Sequence, residues 1–193
     1  GICVVCLKGW EVVLQAYANQ FNITKFKWIF EGGDSNQHSI RNGLWGLRDA
    51  GCDENDIILV HDGVRPLVSE RIISENIEKC QKYGYAITGM ICKEAIMQKV
   101  DDCVKNIDIP RERLVRTQTP HTYPLHTLLK AHEEADSKGI DGTVASCTLM
   151  AELGIEDQHL VMGSEKNGLK LTQTEDVELF KALKHTTKDE WLK

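Results

Sequence analysis

The chain has 193 residues, of which 41% are hydrophobic and 27% charged, and its formal net charge is −6 at pH 7. This length and composition are typical of a soluble globular protein, and we predict one domain over residues 1–193. Because no apolar run approaches roughly 20 residues, we expect no membrane helix. The negative net charge argues against a nucleic-acid partner but is compatible with a local basic pocket that binds phosphate.

Strands and helices alternate through the first half of the chain. Units of this length predict an α/β fold with a mostly parallel, Rossmann-like sheet, helices on both faces and right-handed crossovers. The predicted strands are 2–7, 27–30, 56–60 and 85–91, and the predicted helices are 10–21, 39–50 and 70–83.

The first strand contains Cys3 and Cys6, two of the seven cysteines. Residues three apart on a strand point to opposite faces, so this C-x-x-C pair is poorly placed for a disulfide or a metal. We therefore expect reduced cysteines and a cytoplasmic protein.

The alternation stops at residues 93–123. A short strand at 95–100 is followed by the stretch 106–124, whose three prolines favour no helix, so we predict an inserted β-arm. The second half then resumes with helices at 125–137, 144–153 and 174–183 and with strands at 160–163 and 168–172.

Glycines and small polar residues follow the second strand. Gly32 and Gly33 let a flat base or a phosphate approach the backbone, and Asp34 and Ser35 can cap the next helix. The same residues are also typical of an ordinary turn between strand and helix, and the spacing alone leaves both interpretations open.

A sharper group follows the third strand in the run HDGVRP. Asp62 can hold a hydroxyl or a metal-bound water, Gly63 leaves space beside it, and Arg65 offers paired donors that suit a phosphate. The alternative is a structural Asp that caps a helix and pairs with Arg65.

Basic residues also mark two later segments. Arg111, Arg113 and Arg116 lie near the Thr119–Pro120 step and fit either a solvated basic hairpin or phosphate recognition. Lys170 points away from the face of Leu169 and Leu171, and if it faces Asp62 and Arg65 it can balance charge in phosphoryl transfer.

Taken in order, these motifs resemble the polyol-phosphate cytidylyltransferases over essentially the whole chain. The matching residues are Gly32-Gly33, Ser39, Asn42-Gly43-Leu44, His61-Asp62-Gly63-Val64-Arg65-Pro66, Thr119-Pro120-His121 and Asn167-Gly168-Leu169-Lys170-Leu171-Thr172.

The resemblance implies an enzyme that moves CMP from CTP to a sugar-alcohol phosphate, with Mg²⁺ and release of pyrophosphate. It assigns roles by position. Gly33, Asp34 and Ser39 would read cytosine. Asp62 and Gly63 would lie by the ribose and the metal-bound phosphates, with Asp62 reaching Mg²⁺ through water. Arg65 and Thr119 would contact substrate, and the catalytic residues would be Arg111 and Lys170, which position the acceptor phosphate. The arm at 93–123 would cross to a second subunit of a homodimer, so that Arg111 serves the partner's site.

The chain also departs from the family pattern. The family's first strand and Gly-x-Gly-x-Arg-Met loop have no counterpart here, so we expect an N-terminal stretch of roughly 50–60 residues to be missing and this chain alone to be inactive. Asn36, Ala95 and His121 stand where the family has Arg, Thr and Gln. Ala95 lacks a hydroxyl that would touch the acceptor, which leaves the acceptor open.

The leading hypothesis is 2-C-methyl-D-erythritol 4-phosphate as acceptor, in isoprenoid precursor synthesis. The alternative is ribitol 5-phosphate, in cell-envelope polymer synthesis. A non-catalytic nucleotide-binding module is a third reading if the loop is truly absent. A nicotinamide-dependent dehydrogenase is disfavoured, because no Gly-x-Gly-x-x-Gly opens a helix.

Overall fold

The computed structural model describes residues 1–185. The strands are β1 Ile2–Cys6, β2 Phe26–Glu31, β3 Ile57–Val60, β4 Ala86–Ile91, β5 Met97–Val100, β6 Cys103–Asn106, β7 Val115–Pro124 and β8 His159–Met162. The helices are α1 Glu11–Gln20, α2 Asn36–Asp49, α3 Glu70–Tyr83, α4 Leu125–Lys138, α5 Ser146–Glu152, α6 Glu165–Gly168 and α7 Thr174–His185, with a 3-10 turn at Arg111–Arg113. Among these described helices, none combines the length and the hydropathy that a membrane span requires.

The chain divides into two compact units. The first comprises Gly1–Val60 and Thr122–Gln158, and the second comprises His61–His121 with the described residues from His159 onward. Strand β7 contributes its residues 115–121 to the second unit and 122–124 to the first.

In the first unit, β1 and β2 form a parallel pair, as the strand–helix–strand pattern predicted. Helix α2 begins at Ser35, whose side chain accepts a hydrogen bond from the His38 amide and so satisfies one free N–H of the first turn. Its apolar face buries Leu44 and Leu47, and α4 and α5 contribute further buried side chains: Leu125, Leu128, Leu129, Leu149 and Met150.

In the second unit, β7, β4 and β8 are neighbours in that order. Strands β4 and β8 are parallel. Strand β7 is antiparallel to β4. The Cys92 amide donates to Leu114 O, whereas the hydroxyl of Thr88, four residues earlier in the chain, donates to Pro120 O, six residues later. The α/β class is thus confirmed, but the sheet is mixed where the sequence predicted a mostly parallel one.

Two further segments differ from the prediction. Strands β5 and β6 form an antiparallel hairpin, but Val115–Pro124, placed by the sequence in the arm, is a strand of the sheet. The predicted strand at 168–172 is wrong. Ser164 accepts a hydrogen bond from the Asn167 amide and starts the one-turn helix α6, and beyond it the Leu171 amide donates to Val64 O.

Candidate active site

Asp62 and Arg65 form the centre of a charged cluster in the second unit. Arg65 Nε donates to Asp62 Oδ2 at 3.1 Å, and the backbone bond from Arg65 N to Asp62 O, at 2.9 Å, closes the turn between them. A second nitrogen of the same guanidinium donates to Gly168 O at 2.5 Å. The Arg65 side chain is only 13% exposed, so its position is set by these two acceptors.

Lys170 completes the cluster, since its Nζ lies 3.3 Å from Asp62 Oδ2. Burial raises the pKa of Asp62, but the hydrogen bond from Arg65 and the charge of Lys170 together lower it more, so its pKa lies below the ordinary value. Two cations share one carboxylate. The cluster therefore keeps a net charge of +1, which suits a phosphate group.

Thr119 and His61 hold the backbone of Asp62. The Asp62 amide donates to Thr119 Oγ1 at 3.1 Å, and that hydroxyl also contacts His61 Nδ1 at 3.0 Å. His61 Nε2 lies 3.0 Å from Arg65 O, a carbonyl that can only accept, so in the neutral ring Nε2 carries the proton and Thr119 donates to Nδ1. Both ring nitrogens are thus engaged, and the geometry gives His61 a positioning role.

A cavity of about 500 Å³ adjoins this cluster. Its wall combines basic, acidic and apolar side chains: Arg65, Arg116, Lys166, Lys170, Glu165, Asp176, Leu169, Leu179 and Leu183. Arg116 is neutralised by Glu165 at 2.7 Å. The volume and the basic side of the wall fit a small phosphorylated molecule.

Arg111 lies on the 3-10 turn after the β5–β6 hairpin. Its guanidinium donates to Lys93 O at 3.3 Å and lies 3.7 Å from Glu112 Oε1, and its side chain is 53% exposed. Within the described residues, the structure does not bring Arg111 into contact with Asp62, Arg65 or Lys170.

The glycine turn of the first unit has its own geometry. The Gly33 amide donates to Ser39 Oγ at 3.1 Å, and a Cβ on Gly33 would lie 2.5 Å from His38 Cβ, so only glycine fits there. Asp34 beside it is exposed. Gly63, in contrast, faces open space and would accept a methyl group.

Neither unit carries a preformed metal cage in its described part. No group of three His, Cys, Asp or Glu side chains in residues 1–185 could hold a metal ion. Mg²⁺ usually binds through one or two carboxylates together with substrate phosphates and water. Asp62 offers one carboxylate beside a phosphate-binding cluster, so these residues fit Mg²⁺ brought by a nucleotide.

The structure brings together four residues that the sequence singled out, Asp62, Arg65, Lys170 and Thr119, and so meets the condition under which Lys170 can balance charge there. His61, which the sequence offered only as part of the HDGVRP motif, makes hydrogen bonds on both ring nitrogens. The sequence did not point to the Gly168 carbonyl. This carbonyl belongs to the last residue of α6, a short helix that the alternation of Leu169 and Leu171 did not indicate.

Comparisons with known proteins give a consistent result. The family model of 2-C-methyl-D-erythritol 4-phosphate cytidylyltransferase, IspD, matches residues 11–185. Ribitol-5-phosphate cytidylyltransferase of Lacticaseibacillus paracasei is 42% identical over 94% of this chain and 77% of its own. 2-C-methyl-D-erythritol 4-phosphate cytidylyltransferase of Clostridium acetobutylicum is 34% identical over 85% of this chain and 68% of its own.

Among solved structures, 4-diphosphocytidyl-2C-methyl-D-erythritol synthase of Anaerococcus prevotii superposes with a TM-score of 0.81. It covers 96% of this chain and 81% of its own at 21% identity, so it supports the fold alone.

Proposed function

The chain belongs to the IspD family of cytidylyltransferases, which act on polyol phosphates, and we propose that it transfers CMP from CTP to ribitol 5-phosphate. The observation that carries the choice of acceptor is the 42% identity to a ribitol-5-phosphate enzyme, against 34% to a 2-C-methyl-D-erythritol 4-phosphate enzyme. The relatives thus favour the alternative of our sequence hypotheses over the leading one.

2-C-Methyl-D-erythritol 4-phosphate is the second candidate acceptor. The family model carries its name, and the relative from Clostridium acetobutylicum still covers 85% of this chain. A role in isoprenoid precursor synthesis would follow from this second acceptor.

The proposed reaction is an in-line displacement. A phosphate oxygen of the acceptor attacks the α-phosphorus of CTP, the new P–O bond forms, and the bond to the β-phosphate oxygen breaks to release pyrophosphate. Such reactions depend mainly on positioning and on charge stabilisation. Arg65 and Lys170 supply the positive charge, and Asp62 keeps both cations in place at 3.1 and 3.3 Å.

The remaining roles follow the family positions. Within the first unit, Gly33, Asp34 and Ser39 take the role of reading cytosine. Within the second unit, Asp62 and Gly63 take the role of binding ribose and phosphate groups. Mg²⁺, when bound with the triphosphate, neutralises its charge, and Asp62 is the residue that would hold it. Thr119 contributes to the substrate wall and, through its bond to the Asp62 amide, orients that carboxylate.

A homodimer is part of the same proposal. Residues of the arm expose large apolar side chains, with Ile96 43%, Met97 48%, Val104 64% and Ile109 50% exposed. Exposed apolar groups clustered in one segment are typical of an interaction site. Arg111 stands at the end of this segment, away from the Asp62 contacts, and can serve the site of a second subunit.

The test uses the full-length natural protein, including any residues that precede Gly1. CTP and Mg²⁺ are supplied with ribitol 5-phosphate or with 2-C-methyl-D-erythritol 4-phosphate, and pyrophosphate release and the CDP-polyol mass are measured. We expect a higher kcat/KM with ribitol 5-phosphate. The reverse preference would select the second acceptor, and no product with either would reject both.

A further inference from the structure

Two buried amide side chains, Gln118 in β7 and Asn167 in α6, bond each other in the second unit. Gln118 is 2% exposed and Asn167 is 0% exposed. Asn167 Nδ2 donates to Gln118 Oε1 at 2.9 Å and to Thr119 O at 3.3 Å, and Gln118 Nε2 donates to Ser164 O at 3.0 Å. The pair therefore ties segment 164–167 to β7.

Two glycines leave the space that the Gln118 amide fills. A Cβ on Gly168 would lie 2.5 Å from Gln118 Nε2, and a Cβ on Gly163 would overlap Gln118 Oε1. Since neither glycine has a positive φ, the requirement at both positions is for space. The sequence thus keeps side chains away from both sides of this amide.

Two groups of the charged cluster lie just after Asn167, in the segment that the Gln118–Asn167 pair holds. Gly168 O, next to Asn167, accepts from Arg65 at 2.5 Å, and Lys170 Nζ reaches Asp62 at 3.3 Å. A displacement of the segment would move the acceptor of Arg65 and the ammonium of Lys170 together. Phosphoryl transfer is sensitive to such shifts, and a misplacement of about 1 Å can lower a rate roughly a hundredfold.

We infer that Asn167 and Gln118 are positioning residues, which act through Gly168 and Lys170 to hold the two cations where the acceptor phosphate binds. This inference rests on the proposed function for its substrate. It predicts an effect on acceptor binding that an amide with only a structural role would not have.

Asn76 provides a matched control. It is another fully buried amide of the second unit, in α3, and its Nδ2 donates to Ile72 O at 2.8 Å and to Thr88 Oγ1 at 2.9 Å. Asn167→Leu and Asn76→Leu make the same chemical change, so we expect both to lower the free energy of unfolding. Only Asn167→Leu removes hydrogen bonds of the segment that carries Lys170.

Steady-state kinetics of the full-length protein give the first measurement. We expect Asn167→Leu to raise the KM for the acceptor roughly tenfold or more, with a smaller change in the KM for CTP. Asn76→Leu should lower kcat only by reducing the folded fraction. Equal KM values for the two variants would overturn the inference.

Binding of inorganic phosphate to the full-length protein, measured by isothermal titration calorimetry, gives a second measurement that needs no polyol phosphate. The segment that Asn167 holds carries Lys170 and Gly168 O, the acceptor of Arg65, so we expect Asn167→Leu to raise the Kd for phosphate roughly fivefold or more and Asn76→Leu to leave it unchanged. Gln118→Glu, which sets an oxygen against Ser164 O, is the second variant if Asn167→Leu does not fold. An unchanged Kd in a folded variant would overturn the inference even with full transferase activity. A raised Kd in a protein that turns over no polyol phosphate would support it while rejecting the proposed function.

Discussion

Lys170 lies 3.3 Å from the same Asp62 oxygen that accepts the hydrogen bond of Arg65. One carboxylate oxygen thus fixes two cations that come from distant parts of the chain, 105 residues apart. Both cations are held in fixed positions, but the cluster remains open to solvent, because the Lys170 side chain is 46% exposed. We therefore expect a ligand to contact the cluster through this exposed ammonium.

Replacing Lys170 should therefore damage the reaction more than the fold. We expect Lys170→Ala to lower kcat/KM roughly 10²- to 10³-fold, the usual cost of removing a group that stabilises transition-state charge. Pyrophosphate release by the full-length protein measures this. Lys181→Ala, which removes an exposed lysine paired with Glu178 on α7, should retain wild-type kcat/KM. A loss of less than threefold in Lys170→Ala would contradict its role.

The sequence predicted Asp62 and Arg65 as one group because both directly follow a strand, whereas it joined Lys170 to them only on the condition that it faced the same cleft. Asp62 and Arg65 stand within six residues of the end of β3, so their pairing needed no knowledge of tertiary structure. Strand β7 could not be found in the same way. Its buried residues Gln118, Thr119 and His121 are polar, and their burial depends on partners that the pattern does not show.

The helix α6 escaped prediction for a related reason. Leu169 and Leu171 have the alternating spacing of a strand. The Ser164 hydroxyl, however, accepts a hydrogen bond from the backbone N–H of Asn167, and the chain turns just before the two leucines. The amide pair of Gln118 and Asn167 then holds this turn. Hydrogen bonds between residues 49 positions apart carry no local signal, so periodicity alone could not reveal them.

Gly33 should tolerate no side chain. In Gly33→Ala the new Cβ would meet His38 Cβ at 2.5 Å and the His38 carbonyl carbon at 3.0 Å, so the start of α2 must shift. We expect a loss of stability of about 1–3 kcal/mol, together with weaker CTP binding. Chemical denaturation and calorimetric titration with CTP measure the two effects. Gly63→Ala, whose Cβ meets no atom within 4 Å, should unfold at the wild-type denaturant concentration, and an equal loss in both variants would refute this explanation.

Arg111 should act on the partner's site if the arm forms a dimer. We expect Arg111→Ala and Lys170→Ala each to be nearly inactive alone. Subunits mixed and reannealed should regain roughly a quarter of wild-type activity, because half of the dimers are mixed and each contains one intact site. Arg113→Ala, on the same 3-10 turn, is the control that should stay active. If the mixture regains nothing although mass analysis shows mixed dimers, Arg111 acts within its own subunit or not at all.

His132, in α4 of the first unit, should make the protein less stable in acid. Burial lowers its pKa to about 4, against the opposing effect of Asp136, while Arg41 and His38 on α2 lower it further. Neither of its ring nitrogens has a hydrogen-bond partner among the described residues. The unfolded chain takes up the proton near pH 6.5, whereas the folded chain resists it until about pH 4, so folding loses free energy as the pH falls between these values and the loss levels off below them.

The full effect of His132 amounts to about 3 kcal/mol. His132→Leu cannot take up the proton, so we expect the free energy of unfolding, measured in urea between pH 7 and pH 4.5, to fall less steeply than in the wild type. The buried His121 of the second unit, whose pKa burial also lowers to about 4, remains in this variant, so part of the slope should persist. A wild-type slope in His132→Leu would show that His132 takes up its proton without cost in the folded protein.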